Sequence, residues 1–221
     1  MPTFTGDEAI HYDSRIQRLV PGYELLHQLT RAQCQVQLKA DAKVLVVGAG
    51  TGKEVLELAK ENPQMQFVAQ DISRDMLDIA QQRFNEAGVH SRVKCHLGSL
   101  EGLEGAFDGA ICLLVMHFIA DDGGKAQLLK HIRAHLHNNA WLWIADLMKP
   151  ETQFERDAQF VVCQQLGLTD IGVERTRQSF ATSFFALDRM RFAQLLDDSG
   201  FSVAHCYFKA LSFAGYAISC E

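Results

Sequence analysis

None of the six cysteines belongs to a Cys-x-x-Cys pair; they stand alone at positions 34, 95, 112, 163, 206 and 220. That scatter argues against a zinc ribbon or a disulfide framework, so no metal is expected and a reducing, cytoplasmic location is. Long apolar runs are missing too. The longest, Ala110 to Met116, falls far short of a membrane span. The opening Met1-Pro2-Thr3-Phe4-Thr5-Gly6-Asp7-Glu8 has neither a basic nor an apolar leader segment, and no secretory signal is expected. Basic charge is in deficit, with 21 Lys and Arg against 27 Asp and Glu and a net charge of −6. Nucleic-acid binding relies on many phosphate contacts, so an RNA or DNA partner is disfavoured. There is no internal repeat and no low-complexity linker. What remains is 221 residues, 48% of them apolar, enough for one α/β domain with a cap.

The most informative stretch is Lys43-Val44-Leu45-Val46-Val47-Gly48-Ala49-Gly50-Thr51-Gly52-Lys53. An apolar run ends in three alternating glycines, and a helix-like segment follows. Physically this is a buried parallel strand, a tight turn and a helix N-terminus. Glycine lets a ligand approach the main chain, and the helix start offers free N–H groups. A dinucleotide fingerprint is G-x-G-x-x-G, but Lys53 occupies the third-glycine position. A nicotinamide oxidoreductase is thereby disfavoured. The second candidate strand ends at Asp71, 19 residues after Gly52. At about that separation an acidic side chain meets ribose hydroxyls, and a carboxylate can accept two hydrogen bonds from a vicinal diol. The competing role for Asp71 is to cap the next helix, although Ser73 or Asp75 could do so instead.

The glycine turn resembles the first motif of class I S-adenosylmethionine-dependent methyltransferases, and Asp71-Ile72-Ser73-Arg74-Asp75-Met76-Leu77 is similar to their second. Val93 to Leu100 looks like the third strand and its adenine-contacting turn. Phe107 to Phe118 looks like the fourth strand and its substrate-facing end. The four stretches keep their order over about residues 43 to 146. The resemblance implies S-adenosyl-L-methionine as cofactor, held by Gly48, Ala49, Gly50, Gly52, Asp71, Ile72, Met76, Ser99, Leu100 and Leu113. Ser99 departs from the family's usual Asp; a serine still hydrogen-bonds adenine, with the Leu100 N–H beside it.

Two stretches narrow the resemblance. Arg15 to Tyr23 is similar to the N-terminal segment of bacterial carboxy-S-adenosylmethionine synthases, and Gly200-Phe201 to Phe213 has the texture of their ending. That likeness implies a cofactor contact for Tyr23 and a lid position for Arg177. However, Leu195 stands where that family has a carboxylate-holding arginine, and Leu113 stands where it has an asparagine. The implied enzyme therefore uses ordinary S-adenosylmethionine to methylate a small-molecule acceptor. The alternatives are a carboxy-type cofactor-modifying enzyme and a non-catalytic S-adenosylmethionine-binding protein. A homodimer is compatible with this reading.

The expected fold is a Rossmann-like α/β domain: a seven-stranded, mostly parallel sheet with helices on both faces, an antiparallel C-terminal hairpin and a helical lid. Four segments make one domain over 1–221: N-terminal helices (1–40), a cofactor-binding core (41–148), a helical lid (149–186), and a C-terminal helix and hairpin (187–221). Helices are expected at 8–20, 22–38, 52–61, 75–87, 123–136 and 187–199, the last capped by Gly200. Strands are expected at 43–47, 66–70, 92–96, 108–114, 140–146, 202–208 and 211–219, with Asn138-Asn139 turning into the fifth.

His117, just past the fourth strand, is the candidate general base, against a role in orienting backbone or packing under the lid. Arg175, Arg177 and Arg189 are candidates for a substrate carboxylate or phosphate, against simple solvated faces. The run Phe180 to Phe185, with Phe184 as its candidate substrate or lid residue, either lines an apolar acceptor pocket or packs the lid. His131 and His135 share a helix face at i,i+4 but lack a third ligand, and a helix end explains them.

Overall fold

Residues 4–220 are described by a computed structural model; Met1–Thr3 and Glu221 lie outside it, and with them part of the stretch read for a leader. The apolar runs become strands β1 (Lys43–Val47), β2 (Gln66–Asp71), β3 (Val93–Leu97), β4 (Phe107–Leu113), β5 (Leu136–Leu147), β6 (His205–Ala210) and β7 (Phe213–Ser219). They form one seven-stranded sheet in the order β3-β2-β1-β4-β5-β7-β6. The first five are parallel, and β7 runs antiparallel between β5 and β6. Burial of β1, β4 and the end of β5 on both faces explains their unbroken Val, Ile, Leu and Ala content.

Helices α3 (Tyr23–Gln37), α4 (Lys53–Glu61) and α5 (Arg74–Glu86) cover one face; α6 (Gly124–Ala134) and α9 (Arg189–Asp197) cover the other. Each face has its own core, one around Trp143, Phe84 and Leu26, the other around Leu129, Ile132 and Leu195. The lid is a pair of helices, α7 (Gln153–Gln165) and α8 (Asp170–Thr182). Thr152 and Thr169 cap them by accepting the N–H groups of Glu155 and Gly172.

Several expected boundaries move. The single helix at 8–20 breaks at His11 into α1 (Asp7–Ile10) and α2 (Tyr12–Leu19). Asn138-Asn139 does not precede the fifth strand but bulges within it. Asn139 is left-handed (φ 64°) and donates its N–H to the Cys220 carbonyl, so the strand starts at Leu136. The closing strands start three and two residues later than expected, at 205–210 and 213–219, because Leu211 (φ 53°) makes the hairpin turn. The last helix ends at Asp197, and Gly200 (φ 79°) follows in the left-handed region while Phe201 N–H closes back on the Leu196 carbonyl.

Where α3 packs on α4, His27 Nδ1 lies 3.6 Å from Glu54 Oε1. Burial pushes the Glu54 carboxyl up to about 7 and the His27 imidazole down to about 3. The two oppose each other in pH. A raised carboxyl keeps its proton in the folded state, so Glu54's contribution falls as pH rises from 4.5 towards about 7. A depressed imidazole refuses the proton that the unfolded chain accepts, so His27's contribution grows from about 3 to 6.5. Glu54→Gln removes the first effect alone. In urea denaturation the variant should gain on the wild type as pH rises through the 4.5–7 window, and a pH-independent difference would refute the assignment.

Candidate active site

The strand order turns outward between β1 and β4, and the loops after them diverge to opposite faces. A crevice at the carboxyl ends of these strands is the expected ligand position in such a sheet. Two neighbouring cavities occupy it.

The first, about 270 Å³, is lined by Gly48, Gly50, Asp71, Ile72, Met76, Ser99, Leu100 and Leu113, among others. These are eight of the eleven residues expected to hold the cofactor. Their arrangement follows from the turn. Gly48, Gly50 and Gly52 all have positive φ (66°, 54° and 82°). A Cβ at Gly48 would collide with Val115, and one at Gly52 would lie 2.6 Å from the Phe84 ring, so both are packing requirements. At Gly50 an added Cβ would meet only the Gly48 carbonyl oxygen, at 4.0 Å, so this glycine keeps space free for a ligand.

Asp71 and Gln70 hold the turn from the next strand. Asp71 Oδ2 accepts the Gly50 N–H at 2.8 Å, and its Oδ1 accepts the Ser73 N–H at 2.8 Å. A carboxylate has about four acceptor sites, so roughly two remain for a diol. Gln70 accepts from Gly48 N–H at 3.2 Å and donates to the Gly98 carbonyl at 2.6 Å, joining the first and third turns. Ser73, not Asp71, caps α5 by accepting the Met76 N–H.

Three expected residues lie off this surface. Ala49 is buried behind the turn, its N–H donated to the Gln70 carbonyl, and Gly52 faces Phe84. Tyr23 is packed edge-on to His27 with ring centroids 4.4 Å apart and lines neither cavity.

The second cavity, about 690 Å³, lies under the lid and contains His117, Phe180, Phe184 and Phe185. Phe4, Tyr12, Leu114 and Phe118 line both cavities and form their common wall. Leu114 adopts φ 61°, an unusual conformation for a leucine, and is held by its N–H to the Ala145 carbonyl at 2.7 Å. Phe4 and Tyr12 come from the N-terminal arm, which is fastened across the crevice. Ser73 Oγ donates to the Phe4 carbonyl, Gly6 N–H donates to Asp75, and Asp13 accepts from Thr51 Oγ1 at 2.7 Å and pairs with Arg83 at 2.6 Å.

His117 sits on a short turn after β4. Its Nδ1 makes a tight hydrogen bond to Asp146 Oδ1, while its own backbone N–H donates to Asp146 Oδ2 at 2.9 Å. Asp146 Oδ1 also accepts the Leu147 N–H at 2.7 Å. Among the described residues Nε2 makes no hydrogen bond to protein. Lys125, 1% exposed, donates to the Met116 carbonyl and steadies the turn; burial holds its ammonium below the usual lysine range.

Asp146, Lys125, Phe4 and Tyr12 had no sequence signal beyond the polarity of Asp146 at the end of an apolar strand. The lid arginines separate. Arg175 lines the second cavity, Arg177 lies over the Phe160 ring at 4.2 Å, and Arg189 reaches Glu151 at 3.9 Å. Among the described residues no three His, Cys, Asp or Glu are grouped to hold a metal, and no helix is long and apolar enough to cross a membrane.

Gly52→Ala should lower stability by about 1–3 kcal/mol, through the left-handed backbone and the Phe84 contact. Thermal denaturation measures it, and an unchanged midpoint would mean Phe84 moves aside freely.

Comparison with known proteins agrees with this geometry. A methyltransferase-domain family model matches residues 45–142. A biotin biosynthesis bifunctional protein of Teredinibacter turnerae is 33% identical over 120 residues, covering 51% of this chain and 20% of its own length. The chain spans only about one fifth of the first curated relatives it matches. A carboxy-S-adenosyl-L-methionine synthase of Campylobacter hominis is 24% identical over 216 residues, 96% of this chain and 91% of that one. Among solved structures, an O-methyltransferase-like protein of Nostoc punctiforme superposes with a TM-score of 0.70 at 16% identity, over 96% of this chain and 60% of its own. The magnesium protoporphyrin IX methyltransferase of Synechocystis, solved with S-adenosylhomocysteine, gives 0.68 at 17% identity, over 93% and 86%. Residues 45–142 thus match the methyltransferase-domain family, and nearly the whole chain shares the fold of these solved methyltransferases.

Proposed function

We propose that the protein is an S-adenosylmethionine-dependent methyltransferase acting on a small-molecule acceptor. The observation that carries this reading is the pair of cavities with a common wall: a glycine-and-carboxylate cleft beside an aromatic chamber containing a histidine–aspartate pair. The first cleft fits an adenosine-type group. Asp71 has free acceptor sites for a ribose diol, Gly50 leaves backbone clearance, and Ile72, Met76 and Leu100 provide apolar surface for a base. When bound, S-adenosylmethionine supplies an electrophilic methyl group on a sulfonium.

The chain's own part is alignment, exclusion of water and handling of one proton. Phe4, Tyr12, Leu114 and Phe118 bound the passage between donor and acceptor, and such positioning is worth up to about 7–11 kcal/mol in favourable cases. His117 Nε2 takes the proton of an acceptor hydroxyl while Asp146 holds the Nδ1–H tautomer and favours the resulting imidazolium. Leu113 and Leu195 weigh against a carboxylated cofactor. Leu113 offers the cleft an apolar side chain, and Leu195, 1% exposed, is sealed in the core beyond both cavities.

Calorimetric titration with S-adenosylmethionine and, in parallel, NADH tests the cofactor. Micromolar binding of the first alone is expected; tight NADH binding without it would overturn the reading. Asp71→Ala should weaken cofactor binding by about 1–3 kcal/mol, and Gly50→Val should do worse. With any hydroxylated acceptor found by screening, His117→Gln and Asp146→Asn should each lower kcat by about 10²–10⁴-fold and flatten the rise of rate with pH. An undiminished kcat would remove the base from the mechanism.

A further inference from the structure

The acceptor chamber carries two guanidinium groups as well as rings. Arg15, from α2, and Arg175, from α8, both line it, so they approach from the N-terminal arm and from the lid. Neither guanidinium has a protein hydrogen bond or ion pair among the described residues. Most other arginines are engaged. Arg31 and Arg191 pair with carboxylates, Arg92 binds three carbonyls, and Arg156 and Arg177 lie over phenylalanine rings. The chamber contains one acidic side chain, Glu8, so its lining keeps a net positive charge.

The rest of the lining defines the ligand's body. Phe118 and Phe184 stand edge-on to each other at 5.5 Å, and Phe180 stands edge-on to Phe184 at 5.6 Å. Perpendicular rings with exposed faces and edges suit a flat aromatic guest. The volume, about 690 Å³, exceeds what one benzene ring needs and lies within the usual range for multi-ring ligands. Resting on the proposed methyl transfer for the role of His117, we infer that the acceptor is a planar, fused-ring aromatic hydroxy acid, its hydroxyl at His117 and its carboxylate held by Arg15 and Arg175. Planar guanidinium forks are matched to a carboxylate's two oxygens. Because the two arginines belong to different elements, an acidic acceptor would also draw the lid towards the N-terminal arm.

A matched pair of probes separates charge from ring. With the protein saturated by S-adenosylhomocysteine, 3-hydroxy-2-naphthoate and its methyl ester are titrated by fluorescence. The acid should bind at least about tenfold more tightly than the ester, since only it can make charge-assisted hydrogen bonds. In Arg15→Gln with Arg175→Gln the ratio should fall towards one while S-adenosylhomocysteine affinity holds. Equal binding of acid and ester, no binding of either, or a preference that survives the double variant would each overturn the inference. Methyl transfer is scored separately by mass spectrometry with S-adenosylmethionine. An arginine-dependent preference without methylated product would overturn the transfer reading and leave the acid-binding chamber standing. Product formed equally from acid and ester would do the reverse.

Discussion

The reversal of strand order between β1 and β4 is the constraint on which the site depends. With β2 and β3 laid to one side of β1, and β4 and β5 to the other, the chain leaves neighbouring strand ends in opposite directions. No backbone fills the gap, and the sheet's most buried strands end there. Both cavities open from this break. The glycine turn after β1 floors the first, and the Leu114–Phe118 segment after β4 divides it from the second.

Two buried carboxylates then turn an open crevice into a shaped site. Asp71 closes β2 and Asp146 lies near the end of β5, on either side of the break. Each spends its oxygens first on backbone N–H groups: Asp71 on Gly50 and Ser73, Asp146 on His117 and Leu147. Desolvation of such a group is tolerated because each of its oxygens accepts at least one hydrogen bond. Each also borders a cavity, Asp71 directly and Asp146 through the imidazole it grips. Replacing either residue disturbs the loop whose N–H groups it accepts.

The parts of the site legible in advance were the local ones. The Gly48–Gly52 turn, Asp71 and the segment after β4 are each read from a strand, a turn and a helix start within some dozen residues, and that physics is contained in the window. The element boundaries that slipped have equally local causes: His11 interrupting a helix, Asn139 taking the left-handed conformation that asparagine tolerates but inside a strand, and Leu211 taking one that leucine does not announce. Asp146 could be seen as polar in an apolar strand, but not as the partner of a histidine 29 residues away. Tyr23 shows the converse. A resemblance marked it for the cofactor, yet its ring packs against His27 beneath α4. Arg175 and Arg177 look alike in sequence, and only the rotation of α8 sends one into the chamber and the other onto Phe160.

The sequence by itself determined the parallel core, the glycine turn, the acidic strand end and the class of cofactor they suit. Each depends on contacts made within one βαβ unit, where spacing along the chain translates directly into spacing in space. Tertiary structure alone decided how the crevice is enclosed. Phe4 and Tyr12 come from one end of the chain, Asp146 from β5 and the lid rings from residue 180 onward. They meet only because the N-terminal arm is fastened to α5 through Asp75, Asp13 and Arg83, while the lid's end is tied to the His117 carbonyl by the Phe185 N–H. Such long-range hydrogen bonds leave no periodicity in the sequence, so the chamber under the lid is a property of the folded molecule.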